Sequence, residues 1–175
     1  MVRSISIDRC RAVLNRAQVW CCLLLAGCAL LQPVPAQGCF GPKLYIGTPA
    51  TAQGALMFEV VALYVKEKTG TEAVRVELKT GDDPLAAIRG DKVDLAFAVA
   101  APGPEPALLQ ISGLPLLLSG KRPLEDLQFT TVAPALAKLD KLLTSQDLEP
   151  LIQKVDQGAA AAATARKFLM AKGWI

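Results

Sequence analysis

The chain has 175 residues, 52% of them hydrophobic, and its 19 basic and 16 acidic residues give a formal net charge of +3. It contains no histidine, so the commonest general base, the usual partner of a nucleophilic serine or cysteine and the commonest zinc ligand are excluded. The positive charge belongs to the first 28 residues, and the remainder is neutral. No basic surface is therefore expected to neutralise the phosphates of a nucleic acid.

The N-terminal segment has the pattern of an export signal. Arginines precede an apolar run at 19–31, which is shorter than the about 20 residues of a membrane-spanning helix. Two processing sites stay open: a lipobox ending at Cys28, which would anchor the protein through a lipid, and ordinary cleavage after Ala36. The sequence predicts a signal peptide and linker at 1–36. It predicts one exported domain at 37–175, in the periplasm or another extracytoplasmic space.

The first half of that domain alternates strands with helices. The predicted elements are a strand at 44–46, a helix at 54–68, a strand at 74–78, a short helix at 84–90 and a strand at 95–99. The last of these is an uninterrupted apolar run, which is typical of an inner strand of a parallel sheet. This order predicts right-handed crossovers and an α/β fold, a three-layer α/β/α sandwich with a mainly parallel sheet.

The second half reads mainly as helix. Residues 102–106 predict a loop, and 108–118 an extended segment that contains another strand in one interpretation. A helix is expected at 124–143, interrupted near Pro134. Thr144 and Asp147 have the spacing of a capping box, and two closing helices follow at 147–155 and 159–172.

Three stretches resemble type II periplasmic substrate-binding proteins. The segment from Pro84 to Ala98 is similar to that family's pattern of helix, Gly, two residues, Val-Asp and apolar strand. Residues 144–175 resemble the closing helices of the glycine-betaine-type members. Residues 43–53 fit the family's first strand and the start of its ligand-facing helix. The resemblance implies one lobe of a periplasmic-binding-protein-like fold with extra C-terminal helices.

This resemblance also implies a function. Such proteins deliver small polar solutes to the permease of an ABC importer, and they clamp the solute between two lobes. This chain has material for one lobe, so a homodimer is one way to complete a cleft. The alternative is a degenerate lobe that binds no solute and docks to another envelope protein as a structural or interaction protein. No cofactor is expected, and no nucleophile–base constellation suggests an enzyme.

The position of a ligand follows from the topology. In open α/β sheets, ligands bind outside the carboxyl ends of the strands, which here include residues 47–53, 80–83 and 99–101. The polar candidates for ligand binding are Thr48, Thr51, Gln53, Thr80 and Asp82.

Caps and turns are the competing interpretation of these residues. For the acidic pair Asp82-Asp83, a helix cap before Pro84 competes with a cation site or an acid–base pair. Asp91 and Asp94 are interpreted as turn and strand-edge residues, and Lys121-Arg122 as a solvated turn.

Overall fold

The computed structural model describes residues 41–99 and 104–175, and its centre is a five-stranded sheet. The strands are β1 (Lys43–Pro49), β2 (Glu72–Leu78), β3 (Leu95–Ala98), β4 (Ala107–Leu109) and β5 (Leu116–Ser119). Their spatial order is β2-β1-β3-β5-β4. β1 is parallel to β2 and β3, whereas β5 is antiparallel to β3 and β4. The predicted α/β class is confirmed, and the sheet is open and mixed.

Six α-helices accompany the sheet in the described ranges. They are α1 (Ala52–Thr69), α2 (Pro84–Arg89), α3 (Arg122–Glu125), α4 (Val132–Leu142), α5 (Ser145–Asp156) and α6 (Ala161–Ala171). A 3-10 turn at Leu127–Phe129 joins α3 to α4. None of the helices in this part of the chain is long and apolar enough to cross a membrane.

The longest helix, α1, forms where the apolar periodicity predicted it. Thr51 precedes it in extended conformation, and its Oγ1 accepts a hydrogen bond from the Gly54 N–H at 3.0 Å, which caps the first turn. Gly70 ends the helix with φ of 73°, a left-handed conformation that glycine adopts without strain. Between these caps, one side of the helix is buried against the sheet and the later helices.

The strand β1 lies between β2 and β3 and holds the parallel part of the sheet together. Its pairing with β2 runs from Lys43 opposite Glu72 to Pro49 opposite Leu78. A Cβ at Gly47 would lie 3.2 Å both from the Cβ of Ala96 and from the Leu78 side chain, which is tighter than ordinary packing. A larger residue there would therefore require Ala96 and the Leu78 side chain to shift.

The two faces of the sheet are covered unequally. One face carries Leu44, Ile46 and Phe97 in a large apolar cluster with residues of α1, α4, α5 and α6. The alternate residues of β3 face the other way and form a smaller cluster with α2. The helices after β1 and after β2 thus lie on opposite faces, which places the topological switch point between β1 and β3.

Two predictions in the second half need correction or refinement. The extended segment at 108–118 is two strands, β4 and β5, paired with each other. The helix predicted at 124–143 is interrupted before α4 and not at Pro134, since Pro134 is the third residue of α4. A proline in the first turn of a helix loses no intrahelical hydrogen bond, because N–H groups there have no partner within the helix.

The predicted capping box is confirmed. The Thr144 side chain accepts a bond from the Asp147 N–H, and the Asp147 carboxylate accepts one from the Thr144 N–H. Lys172 donates to the other oxygen of Asp147 at 2.7 Å, and these bonds hold the pKa of Asp147 below its ordinary value, with the Lys172 contact as the largest cause. The start of α5 is thereby tied to the end of α6.

Candidate functional site at the carboxyl end of the sheet

A cavity of about 340 Å³ lies where β1, β2 and β3 end, which we call the carboxyl-end cavity. Three of its lining residues are polar, namely Lys79, Asp82 and Asp83. The other seven are apolar: Pro49, Leu78, Pro84, Leu85, Phe97, Ala98 and Val99. Each of the three parallel strands contributes its last residues, so the cavity occupies the place at which open α/β sheets bind ligands.

Two of the threonines predicted to bind a ligand form hydrogen bonds within the chain. Thr48 is fully buried in β1, and its hydroxyl donates to the Ile46 carbonyl at 3.2 Å. Thr51 caps α1 through its bond from Gly54. Neither residue lines the carboxyl-end cavity, although both lie within two residues of Pro49 in the chain.

The other three predicted residues are spread along the same end of the sheet. Gln53 lies half-buried in the first turn of α1, and Thr80 is exposed in the turn after β2. Neither lines the cavity, whereas Asp82 does. The structure therefore brings one of the five predicted side chains to the cavity itself.

The acidic pair forms the turn and cap that one interpretation predicted. Asp82 accepts a hydrogen bond from the Lys79 N–H at 2.7 Å, and Asp83 caps α2 by accepting from the Leu85 N–H at 2.9 Å. These bonds shape the loop before Pro84. Within the described ranges, no cluster of three or more metal-binding side chains occurs.

The apolar lining was missed by the sequence interpretation, which considered only polar candidates. Leu78 and Phe97 are buried core residues that also line the cavity, while Val99 at the rim is 91% exposed. The sequence contained a signal for this lining, because Leu78 and Val99 are the last residues of the strands predicted at 74–78 and 95–99. The lysine next to them, Lys79, has an exposed side chain for which no ion pair is found in the described residues.

The opposite end of the sheet holds a partly buried ion pair that corrects the interpretation of Arg122. Asp94 is buried, and its carboxylate accepts from the Tyr45 N–H at 2.7 Å and from the Arg122 guanidinium at 2.9 and 3.0 Å. Arg122 also lies over the Phe129 ring at 4.8 Å and donates to the Lys43 carbonyl. Arg122 is thus a clamp between distant parts of the chain and not a residue of a solvated turn.

The lipidation candidate Cys28 lies outside the described residues.

Compared with protein-family models, with curated proteins and with solved structures, the chain gives no significant match.

Proposed function

We propose that this chain is an exported solute-binding module with one α/β lobe that takes a small ligand in the carboxyl-end cavity. The observation that carries the proposal is the position of this cavity at the ends of three parallel strands, beside the switch point between β1 and β3. The likeness to periplasmic substrate-binding proteins points the same way. In this proposal the fold is a three-layer lobe in which α2 forms the thinner outer layer.

The lining indicates which solutes to test. A volume of about 340 Å³ is at the lower end of the about 300–1,000 Å³ typical of ligand pockets, so one small metabolite fits. Leu78, Leu85 and Phe97 offer an apolar wall, and Lys79 and Asp82 offer charges at the rim. We therefore expect a small solute that combines a polar group, for Lys79 and Asp82, with an apolar part.

The exposed rim suggests how a one-lobed module would enclose its ligand. Val99 is a large apolar residue with 91% of its surface exposed, and a second body over the cavity would cover it. In this proposal that body is a second copy of the chain, which would place two cavities face to face. An ABC permease or another envelope protein is the other partner, with the membrane reached only through a lipid on Cys28.

One observation favours the second candidate function, a lobe that binds no solute and docks to an envelope protein. Thr48, Thr51, Asp82 and Asp83 already form hydrogen bonds within the chain. Polar groups engaged in this way are less available to orient a solute. The exposed Val99 would then belong to a protein interface alone.

The proposed function is tested with a matched pair of rim variants. Val99→Asp introduces a charge at the carboxyl-end cavity, and Leu127→Asp introduces the same charge at a residue that is 88% exposed elsewhere. Because both positions are exposed, both variants are expected to unfold at the wild-type temperature. Wild type and Leu127→Asp should show a ligand-induced rise in unfolding temperature with a panel of small amphiphilic solutes, and Val99→Asp should not.

Native mass spectrometry of the protein purified from its own envelope provides the second readout. A retained small molecule, or a dimer carrying one, supports the solute-binding proposal, and the mass shows whether Cys28 is acylated. A ligand-free monomer that gives no thermal response to the panel would contradict solute binding and favour the docking role.

A further inference from the structure

A second cavity, of about 450 Å³, lies at the other end of the sheet, which we call the amino-end cavity. It is bounded by the end of α2, by residues 104–106 and by α3. We propose that this cavity is a separate ligand site for a small zwitterion, a molecule that carries both an ammonium and a carboxylate on a short apolar body, such as an α-amino acid. This site is independent of the carboxyl-end cavity and goes beyond the solute-binding proposal.

One wall of the amino-end cavity is fixed by an ion pair. Arg89 at the end of α2 donates to both carboxylate oxygens of Glu105, at 2.7 and 3.2 Å. This bidentate geometry is the strongest form of such a pair, and it holds the pKa of Glu105 below its ordinary value, with the Arg89 hydrogen bond as the largest cause. Because the charges of Arg89 and Glu105 compensate each other, the pair shapes the wall and does not favour a ligand of either charge.

Three further charged residues line the same cavity and have no such partner. Lys121, Asp91 and Glu125 form no ion pair or side-chain hydrogen bond with the described residues. An unpaired cation and two unpaired anions around one cavity match a ligand that carries both signs. The ligand carboxylate would bind Lys121, and its ammonium, a donor of three hydrogen bonds, would bind the two acidic side chains.

A smaller cavity shows where the charged end of the ligand would lie. It has a volume of about 110 Å³ and shares Ile88, Asp91, Gly120 and Lys121 with the larger one. Asp91 and Lys121 thus line both spaces and lie where these meet. The head group of the ligand fits at this junction, and its apolar body fits against the Leu124 side of the larger cavity.

The backbone of Asp91 makes a clean test of the site possible. Its φ of 53° makes it the one non-glycine residue with positive φ among those described. Asp91 follows Gly90 in the turn after α2. Glycine adopts such a φ without strain, and aspartate and asparagine adopt it more readily than other residues with a side chain. Glycine is therefore compatible with the backbone at this position, so the side chain of Asp91 can be removed without straining the turn.

The test is an amide NMR titration of the full domain with leucine and two analogues of the same apolar body. Isoamylamine lacks the carboxylate of leucine, and 4-methylpentanoate lacks its ammonium. We expect leucine to cause saturable shifts of the amides of Gly90, Asp91 and Gly120. Each analogue is expected to bind at least tenfold more weakly, because it lacks one of the two charge contacts that leucine would make.

The key variant is Asp91→Gly, which separates a ligand role from a structural one. Its unfolding temperature should equal or exceed that of wild type, since the left-handed φ suits glycine, while leucine binding weakens at least tenfold. Lys121→Gln should weaken leucine binding to a similar degree and leave isoamylamine binding unchanged. Lys79→Gln, at the carboxyl-end cavity, is the matched control and should bind leucine as wild type does.

Four outcomes would overturn this inference. Three of them are no saturable shift with a folded protein, equal binding of all three molecules, and full leucine affinity in a stable Asp91→Gly variant. Shifts confined to residues such as Leu78 and Val99 would also overturn it, and would assign leucine to the carboxyl-end cavity instead. Failure at this site therefore remains distinguishable from failure of the solute-binding proposal.

Discussion

The two ends of the same sheet use their polar residues in opposite ways. At the carboxyl end, hydroxyls and carboxylates cap helices and close turns, and what remains to line the cavity is largely apolar. At the amino end, one carboxylate is buried in an ion pair with Arg122, while three other charged residues line a cavity and form no ion pair with any residue that the structure describes. The comparison shows that polar residues at strand ends are not by themselves evidence of a site, because their side chains can be engaged in hydrogen bonds to the backbone of the adjoining turn or helix start.

The largest expected effect compares one aspartate from each end. Asp94→Ala removes a buried carboxylate that accepts from Tyr45 and Arg122, so the free energy of unfolding should fall by about 2–4 kcal/mol. Asp82→Ala removes one bond in an exposed turn and should lower it by about 1 kcal/mol. Urea unfolding of both variants measures the difference. Equal losses would contradict the expectation that the Asp94 contacts stabilise the fold more than the Asp82 hydrogen bond does.

The second comparison uses a glycine from each end. A Cβ at Gly54 would overlap the Pro49 carbonyl oxygen, whereas one at Gly120 would lie 3.2 Å from the Asp94 carbonyl and the Ile88 side chain. Gly54→Ala should therefore lower the free energy of unfolding by about 1–3 kcal/mol, although alanine is the better helix former. Gly120→Ala should lower it less. Thermal unfolding decides the order, and a stabilised Gly54→Ala would show that the contact relaxes freely.

The third prediction separates two threonines at the carboxyl end. Thr51→Ala removes the cap of α1 and should reduce the free energy of unfolding by about 1 kcal/mol. Thr80 is exposed, so Thr80→Ala should change it by less than about 0.5 kcal/mol. Chemical denaturation of the pair provides the measurement. A loss in Thr80→Ala as large as that in Thr51→Ala would assign Thr80 a structural role that its position does not suggest.

The smallest expected effect concerns pH at the amino end. Because Arg89 lowers the pKa of Glu105, this bond stabilises the folded state at pH values above the ordinary glutamate pKa. Its contribution is lost as the pH falls through the lowered pKa. Glu105→Gln should therefore lower the unfolding temperature at pH 7 and leave it nearly unchanged at pH 2. Curves of wild type and variant that stay parallel over this range would contradict the assignment. The effect should shrink in high salt, since the Arg89 side chain is 56% exposed.

Local patterns predicted most of the secondary structure. The helix from Ala52 to Thr69, the capping box of Thr144 and Asp147, and the buried strand at Leu95–Ala98 follow from periodicity and cap chemistry. These features depend on residues within a few positions of one another. Which polar residues line the carboxyl-end cavity could not be predicted, because a hydroxyl at a strand end has the same sequence signature whether it caps a helix or faces a cavity.

The sequence by itself determined the α/β class and the order of strand and helix through Leu95. Only the tertiary structure decided that β5 inserts antiparallel beside β3, that Arg122 reaches Asp94 across 28 residues, and which side chains line each cavity. The physical reason is the distance along the chain between the residues that interact. Helix caps and apolar periodicity depend on neighbours in the chain, whereas strand order, buried ion pairs and cavity walls depend on residues that only folding brings together.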